Sequence, residues 1–205
     1  MNKTPIFALK LATFVIALGY SLIIPVMPFY MKNLGAGGKE LGWLTAIYAL
    51  TQTLCAPFWG VLSDRIGRKP IISIGMLGYT ISLLLFGLAS SFCTLFIARA
   101  LSGVLSSATS VASLAYVGDS STEDERSKNM GQLGAAMSVG VMLGPLFGGI
   151  LAGYSLVLPF FTGAGISFIA FLLIVTVLPE SIERSGYPHK KDSFDFLALQ
   201  SMLLG

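Results

Sequence analysis

Long uncharged apolar runs alternate with short clusters of ionisable residues along this chain, and the spacing of the clusters predicts where helices begin and end. The run between Lys10 and Lys32, the run from Leu41 to Ser63 between Glu40 and Asp64, and the charge-free stretch from Pro70 to Ala98 are each long enough for a helix that crosses a bilayer. A hydrocarbon core about 30 Å thick takes about 20 apolar residues per helix. Ser90, Ser91 and Cys93 form a polar break that ends the third run near Ala89, and the fourth continues from Thr94 to Gly118 with Arg99 inside it. The stretch from Asn129 to Pro179 is too long for one span, and its interruption at Gly153, Tyr154 and Ser155 predicts a helical hairpin. The expected spans are residues 8–31, 41–63, 70–89, 94–118, 130–152 and 159–178. They form an all-α membrane protein with a six-helix bundle over residues 1–179. No small-residue cleavage site follows a short apolar core in the first run, so it is expected to be a retained span. Residues 180–205 read as a cytoplasmic linker holding His189 and the start of a further, truncated segment.

Composition agrees with this reading: 54% of residues are hydrophobic and 11% charged, against about 25% charged in soluble domains. A soluble enzyme is excluded, and nothing points to an enzymatic activity, a cofactor, a metal site or a nucleic-acid partner. There is one histidine, the two cysteines lie far apart at Cys55 and Cys93, and the net charge is +3. Lys3, Lys10, Arg65, Arg68, Lys69, Arg126, Lys128, Arg184, Lys190 and Lys191 fall on one side of the predicted bundle, and Lys32 and Lys39 on the other. Cationic loops mark the cytoplasmic face, so a multi-pass protein of a bacterial or archaeal cell membrane is expected, in contact with lipid and with a cytoplasmic N-terminus. The Asn2-Lys3-Thr4 sequon then lies on the wrong side for glycosylation.

Ala56-Pro57-Phe58-Trp59-Gly60 in the second span and Gly144-Pro145-Leu146-Phe147-Gly148 in the fifth share a proline and a glycine three residues apart. The offset between them is close to three spans. A repeat of an odd number of spans inverts in the membrane and creates a midplane site, so two inverted three-helix repeats are expected. The loop from Gly60 to Lys69 joins the second and third spans with little slack. Gly67 is expected to supply the tight turn, Gly60 to let a neighbouring backbone approach, and Asp64 with Arg65, Arg68 and Lys69 to form a latch whose hydrogen bonds differ between conformations. Asp119 or Arg126, on the same face, is a candidate to join it.

That loop resembles the signature of the major facilitator superfamily, matching G-x-L-x-D-R-x-G-R-K at every fixed position. Leu18 and Gly19 followed by Pro25, Val26 and Pro28 are similar to the first-span pattern of its drug and proton antiporters. Gly131, Gly140, Gly144, Pro145, Gly148 and Gly149 reproduce the fifth-span spacing that marks exchangers. The likeness extends to twelve-span bacterial multidrug efflux proteins, including tetracycline exporters. The inverted-repeat architecture is a known property of that superfamily. The resemblance implies a transporter that exports small lipophilic or cationic drugs by alternating access in exchange for protons. The present chain would be its amino-terminal half, with a carboxy-terminal six-helix half expected as partner. It also implies that the fifth-span glycines lie between the halves. From the residues alone these glycines can serve close packing or bending at Pro145.

Arg99 is a charge within a span, costing about 2.5 kcal/mol or more, and needs a partner. Either it snorkels outward or it donates to the Ser21 hydroxyl or to carbonyls of Ser21 and Ile24 freed by Pro25 and Pro28, with Tyr20 nearby. Arg99 and Gly103 match the family's R-x-x-x-G, which implies a role in coupling, although Ser102 and Leu105 depart from the residues usual there. Thr45, Tyr48 and Gln52 share a face of the second span, and Arg99, Ser102, Ser106, Ser110 and Ser113 a face of the fourth. Tyr48 and Gln52 are expected to line a cavity with Phe14, Tyr20, Met137 and Phe147, suited to bulky apolar or cationic solutes. The serines, Ser106 included, serve either that wall or helix packing. Every acid lies in a loop or at a helix end, so the protonatable coupling acid is expected in the other half. The alternatives are a non-transporting module that pairs with another chain, a transporter of sugars or metabolites, and an oligomeric channel, for which no filter segment or ring of pore charges is found.

Overall fold

The computed structural model describes residues 3–180, and among these there are seven helices and no strand. In chain order they are α1 (Lys3–Ile23), α2 (Met27–Asn33), α3 (Gly38–Ile66), α4 (Arg68–Gly87), α5 (Phe92–Ser120), α6 (Glu123–Ala152) and α7 (Leu158–Val177). The linker and further segment expected beyond Glu180, with His189, lie outside the described residues.

Local chemistry accounts for most of the ends. Gly37 N donates to Glu40 Oε2 at 2.8 Å where α3 starts, and Ser91 Oγ accepts from Thr94 N at the start of α5. Glu123, Asp124 and Glu125 occupy the first turn of α6, where carboxylates favour the positive end of the helix dipole. The first expected span, 8–31, is not one helix. Pro25 has no N–H to donate, and residues 24–26 form a turn closed by Ile24 N to Ser21 O at 3.3 Å and Val26 N to Ile23 O at 3.1 Å. Pro28, in the first turn of α2, is tolerated there. Pro57 and Pro145, in contrast, sit inside unbroken helices of 29 and 30 residues.

Five helices, α1, α4, α5, α6 and α7, are long and apolar enough to cross a membrane. The 29-residue α3 is long enough but less apolar, because Thr45, Tyr48, Thr51, Gln52 and Thr53 interrupt it. Packing places α1 chiefly on α6 and α7, α5 on α3 and α4, and α4 also on α7. The shared core holds Leu9, Ile72, Met76, Tyr79, Leu83, Phe86, Leu95 and Phe160. Two helices remain largely uncovered: α3 buries Leu44, Tyr48, Trp59 and Ser63, and α6 buries Asn129, Leu133, Gly140, Gly144 and Gly148.

Candidate functional site

A cavity of about 310 Å³ opens between α1, α3, α5 and α6. From α1 come Thr13, Ile16, Ala17 and Tyr20; from α3 Thr45, Tyr48, Ala49 and Gln52; from α5 Ser110; and from α6 Met137 and Val141. Thr45, Tyr48 and Gln52 recur three and four residues apart, which puts them on one side of α3. Of the residues expected in a cavity wall, Tyr20, Tyr48, Gln52 and Met137 stand there. Ser106 does not. It is fully buried behind the wall, its Oγ 3.2 Å from Tyr48 Oη, and it also donates to Gly103 O. Phe147 is half exposed on α6 and outside the wall. Gln52 Nε2 donates to Tyr48 Oη at 3.3 Å, so α3 and α5 fix the ring edge from both sides. Ser102 hydrogen-bonds the preceding turn of its own helix and serves packing, whereas Ser110 reaches the cavity.

Arg99, on α5, is buried behind two of these rings. Its guanidinium carbon lies 4.6 Å from the Tyr48 ring centroid, 5.2 Å from that of Tyr20 and 6.0 Å from that of Phe86. It does not snorkel, and the expected Ser21 and carbonyl partners are not the ones it has. Ser21 Oγ instead donates across to Gly140 O at 3.2 Å and Val141 O at 3.1 Å. The reason is steric: Gly144 has no Cβ, and the notch this leaves draws the Ser21 hydroxyl to α6. The carbonyl of Ser21 accepts from Ile24 N within the turn. Arg99 Nε is left with no hydrogen-bond partner among the described residues, and aromatic faces take the place of an acid.

Charged residues gather at one end of the bundle. Arg68 NH1 lies 2.6 Å from Asp64 Oδ1 and donates to Ser63 Oγ at 2.5 Å, while its Nε meets Asp119 Oδ2 at 2.9 Å. Arg68 therefore ties the ends of α3 and α5 together. Arg65 is exposed, and Arg126 reaches toward Gly118 rather than into the cluster. Gly67, between α3 and α4, adopts φ +107°, a conformation L side chains rarely take. The Glu180 carboxylate accepts from Arg68 N at 2.9 Å and Lys69 N at 3.3 Å, satisfying the amides at the start of α4. Glu180 was not among the expected site residues. Its signal was an acid directly after Pro179, which stops α7 on the same face as the start of α4. Gly60 departs from expectation, since a Cβ there would meet only the Val111 side chain at 3.6 Å. The close backbone approach of α3 to α5 occurs instead at Gly103, where a Cβ would lie 2.6 Å from Tyr48 O.

The glycines of α6 divide. A Cβ at Gly140 would come 2.6 Å from Phe14 O, one at Gly144 2.7 Å from Leu22 N, and one at Gly148 would strike Leu22 O, so these three form the seam with α1. Gly131 and Gly149 have open space around them. On α1, Gly19 makes room for Tyr79, whose Oη donates to Ile16 O at 3.3 Å.

Comparison with known proteins places this geometry. The family model described as Major Facilitator Superfamily matches residues 9–204. "Multidrug resistance protein 2" of Bacillus subtilis (strain 168) is 41% identical over 181 residues, covering 88% of this chain and 45% of that protein. "Quinolone resistance protein NorA" of Staphylococcus aureus (strain MRSA252) is 35% identical over 189 residues, covering 91% and 48%. The chain thus spans about half the length of the curated relatives it matches. Among solved structures, the human organic anion transporter MFSD10 (TETRAN) superimposes with a TM-score of 0.77 at 23% identity, over 88% of this chain and 48% of that one. A peptide transporter POT in complex with sulfate gives 0.74 at 20% identity, over 84% and 37%.

Proposed function

The chain belongs to the Major Facilitator Superfamily, and from that premise we propose that it forms the amino-terminal half of a secondary transporter that exports small lipophilic compounds by alternating access in exchange for protons. The observation that carries this reading is the cavity between α1, α3, α5 and α6, walled by Tyr20, Tyr48 and Met137 and open to one side of a bundle that covers only half of each curated relative. Aromatic rings and a thioether adapt to varied apolar solutes. The names of the relatives, which speak of multidrug and quinolone resistance, agree with that class.

The inverted-repeat reading has support in which helices pack together. Exchanging α1 with α5, α3 with α6 and α4 with α7 turns the α1 to α6 contact into the α5 to α3 contact and the α1 to α7 contact into that of α5 with α4. It leaves the contact of α4 with α7 as it is. Under the same exchange Gly148, against Leu22 of α1, corresponds to Gly60, against Val111 of α5. The cluster of Asp64, Arg68, Asp119 and Glu180 reads as the cytoplasmic latch, because the cation-rich loops lie at that end.

The test is efflux of a lipophilic fluorescent dye from proteoliposomes containing the full-length protein, driven by an imposed pH gradient. The proposal expects gradient-dependent efflux that falls at least tenfold in Asp64→Asn and in Tyr48→Leu. Efflux indifferent to the gradient removes the proton exchange, and unchanged rates in both variants remove the latch and the cavity from the mechanism.

A further inference from the structure

We propose that Lys10 is one half of an ion pair that shuts the charged-end mouth of the bundle, and that its partner is a carboxylate supplied by the carboxy-terminal half of the full-length protein. The inference rests on the reading of this chain as half of an alternating-access transporter. Lys10 lies inside the membrane-crossing stretch of α1, Ile6–Ile23, about 10 Å from the start of the helix at 1.5 Å per residue. Its ammonium donates to Gln132 Oε1 of α6 at 3.2 Å. Helix α6 starts just after α5 ends, beside Asp119 and the Arg68 cluster, and α1 runs in step with it, since Phe14 meets Gly140 and Leu22 meets Gly148. Both helices therefore start at the charged end. Cα–Cβ bonds tilt toward the start of a helix, which carries the Lys10 side chain back one turn to Gln132. Lys10 precedes Thr13, Ala17 and Tyr20 at intervals of three and four residues, so it continues their side of α1 below the cavity.

An ammonium donates three hydrogen bonds, and one neutral amide oxygen leaves its charge uncompensated. While the mouth is open, water meets the remaining donors. When the two halves close over it the water leaves, and a charge at this depth then needs an acid. No acid of the described residues serves. Asp64 and Asp119 share Arg68, Glu40 accepts from Gly37 N, and Glu180 accepts from the amides at the start of α4. Glu123, Asp124 and Glu125 stand in the first turn of α6, about 10 Å or more before Gln132. The partner therefore has to come from outside this bundle, and the chain covers only 45% and 48% of its curated relatives. The sign of the effect follows. With an acid opposite, loss of the charge at position 10 strands that acid and opens the mouth; with none opposite, the same loss removes a burial cost and closes it.

The reporter is Thr13→Cys, one turn further along the same side of α1, in the full-length protein with its other cysteines replaced by serine. Labelling by a membrane-impermeant maleimide in inside-out vesicles reads how often the mouth is open. Lys10→Gln is expected to raise the labelling rate about fivefold or more, Lys10→Glu to raise it further, and Lys10→Arg to hold it within about twofold of the parent. Gln132→Leu removes the tie to α6 and keeps the charge, so its rate is expected to stay within about twofold as well. An unchanged rate in Lys10→Gln overturns the proposal, and so does a slower one, which would mean a charge with no acid opposite. A Gln132→Leu rate as high as that of Lys10→Gln also overturns it, by reducing Lys10 to a packing contact between α1 and α6. If the parent never labels from this side, there is no opening at the charged end and the transporter reading falls with the proposal. Gradient-driven dye efflux alongside a Lys10→Gln rate equal to the parent's leaves that reading in place and removes only this one.

Discussion

Arg68 shares one guanidinium between Asp64 and Asp119, whereas Arg65, three residues earlier, is exposed and takes no part. Both acids are partly solvent-exposed, so each ion pair contributes about 0.2–1 kcal/mol. Asp64→Asn or Asp119→Asn is expected to change thermal stability little, while Arg68→Ala, which also strips a donor from Ser63, lowers it more than either. Melting of the purified protein in detergent measures the difference, and equal melting points for all three would show that Arg68 is not the hub. Gly67 carries two separate constraints: its φ of +107°, and the Glu180 carboxylate 2.5 Å from where a Cβ would stand. Gly67→Ala is expected to cost about 1–3 kcal/mol, and a second change, Glu180→Ala, to relieve only the steric part. A double-mutant cycle in unfolding separates the two. At Tyr48, replacement by Phe removes the hydroxyl contacts with Ser106 and Gln52 but leaves the ring over Arg99. Replacement by Leu removes both. Stability is expected to fall by about 1 kcal/mol in the first case and by about 2 kcal/mol more in the second.

The seam between α1 and α6 shows how far an element can be inferred from its own residues. Glycines four residues apart announced a close-packed helix face, and three of them, Gly140, Gly144 and Gly148, do meet the α1 backbone. The pattern could not say that Gly131 and Gly149 stand free, because which side of a helix finds a neighbour is decided by tertiary packing. Gly144→Ala should therefore lower stability by about 1–3 kcal/mol, as overpacking does. Gly165→Ala, in α7 where a Cβ would meet nothing within 4 Å, should leave it equal or raise it by about 0.5–1 kcal/mol. Thermal unfolding of the two variants side by side checks the contrast. Helices were legible from the spacing of charges, since no charge is tolerated deep in lipid without a partner. The break at residues 24–26 was hidden in an unbroken apolar run, where Pro25 could equally have kinked a continuous helix, as Pro57 and Pro145 leave theirs unbroken.

For the whole bundle, the arrangement of cations predicts sidedness, and the two free cysteines offer a handle. Cys93, exposed at the start of α5, is expected to react with a membrane-impermeant maleimide in intact cells, and Arg65→Cys only after permeabilisation. The reverse pattern would invert the topology. The cavity wall was legible as a set of polar and aromatic residues at helical spacing, but the partners of Arg99 were not. No sequence rule tells whether a buried guanidinium settles on a carbonyl or on rings, and here the outcome followed from Ser21 turning into the Gly144 notch. That small displacement has a mechanical effect. With the Ser21 hydroxyl clasped by two carbonyls of α6, α1 is bolted to that helix as a single strut. The short helix that follows, α2, is fastened elsewhere, by Tyr30 Oη to the carbonyls of Phe86 and Ala89 at the tip of α4. Of the residues between the two anchorages only 24–26 lie outside a helix, so any tilt of the α1 and α6 strut relative to α4 concentrates its torsion on this one swivel.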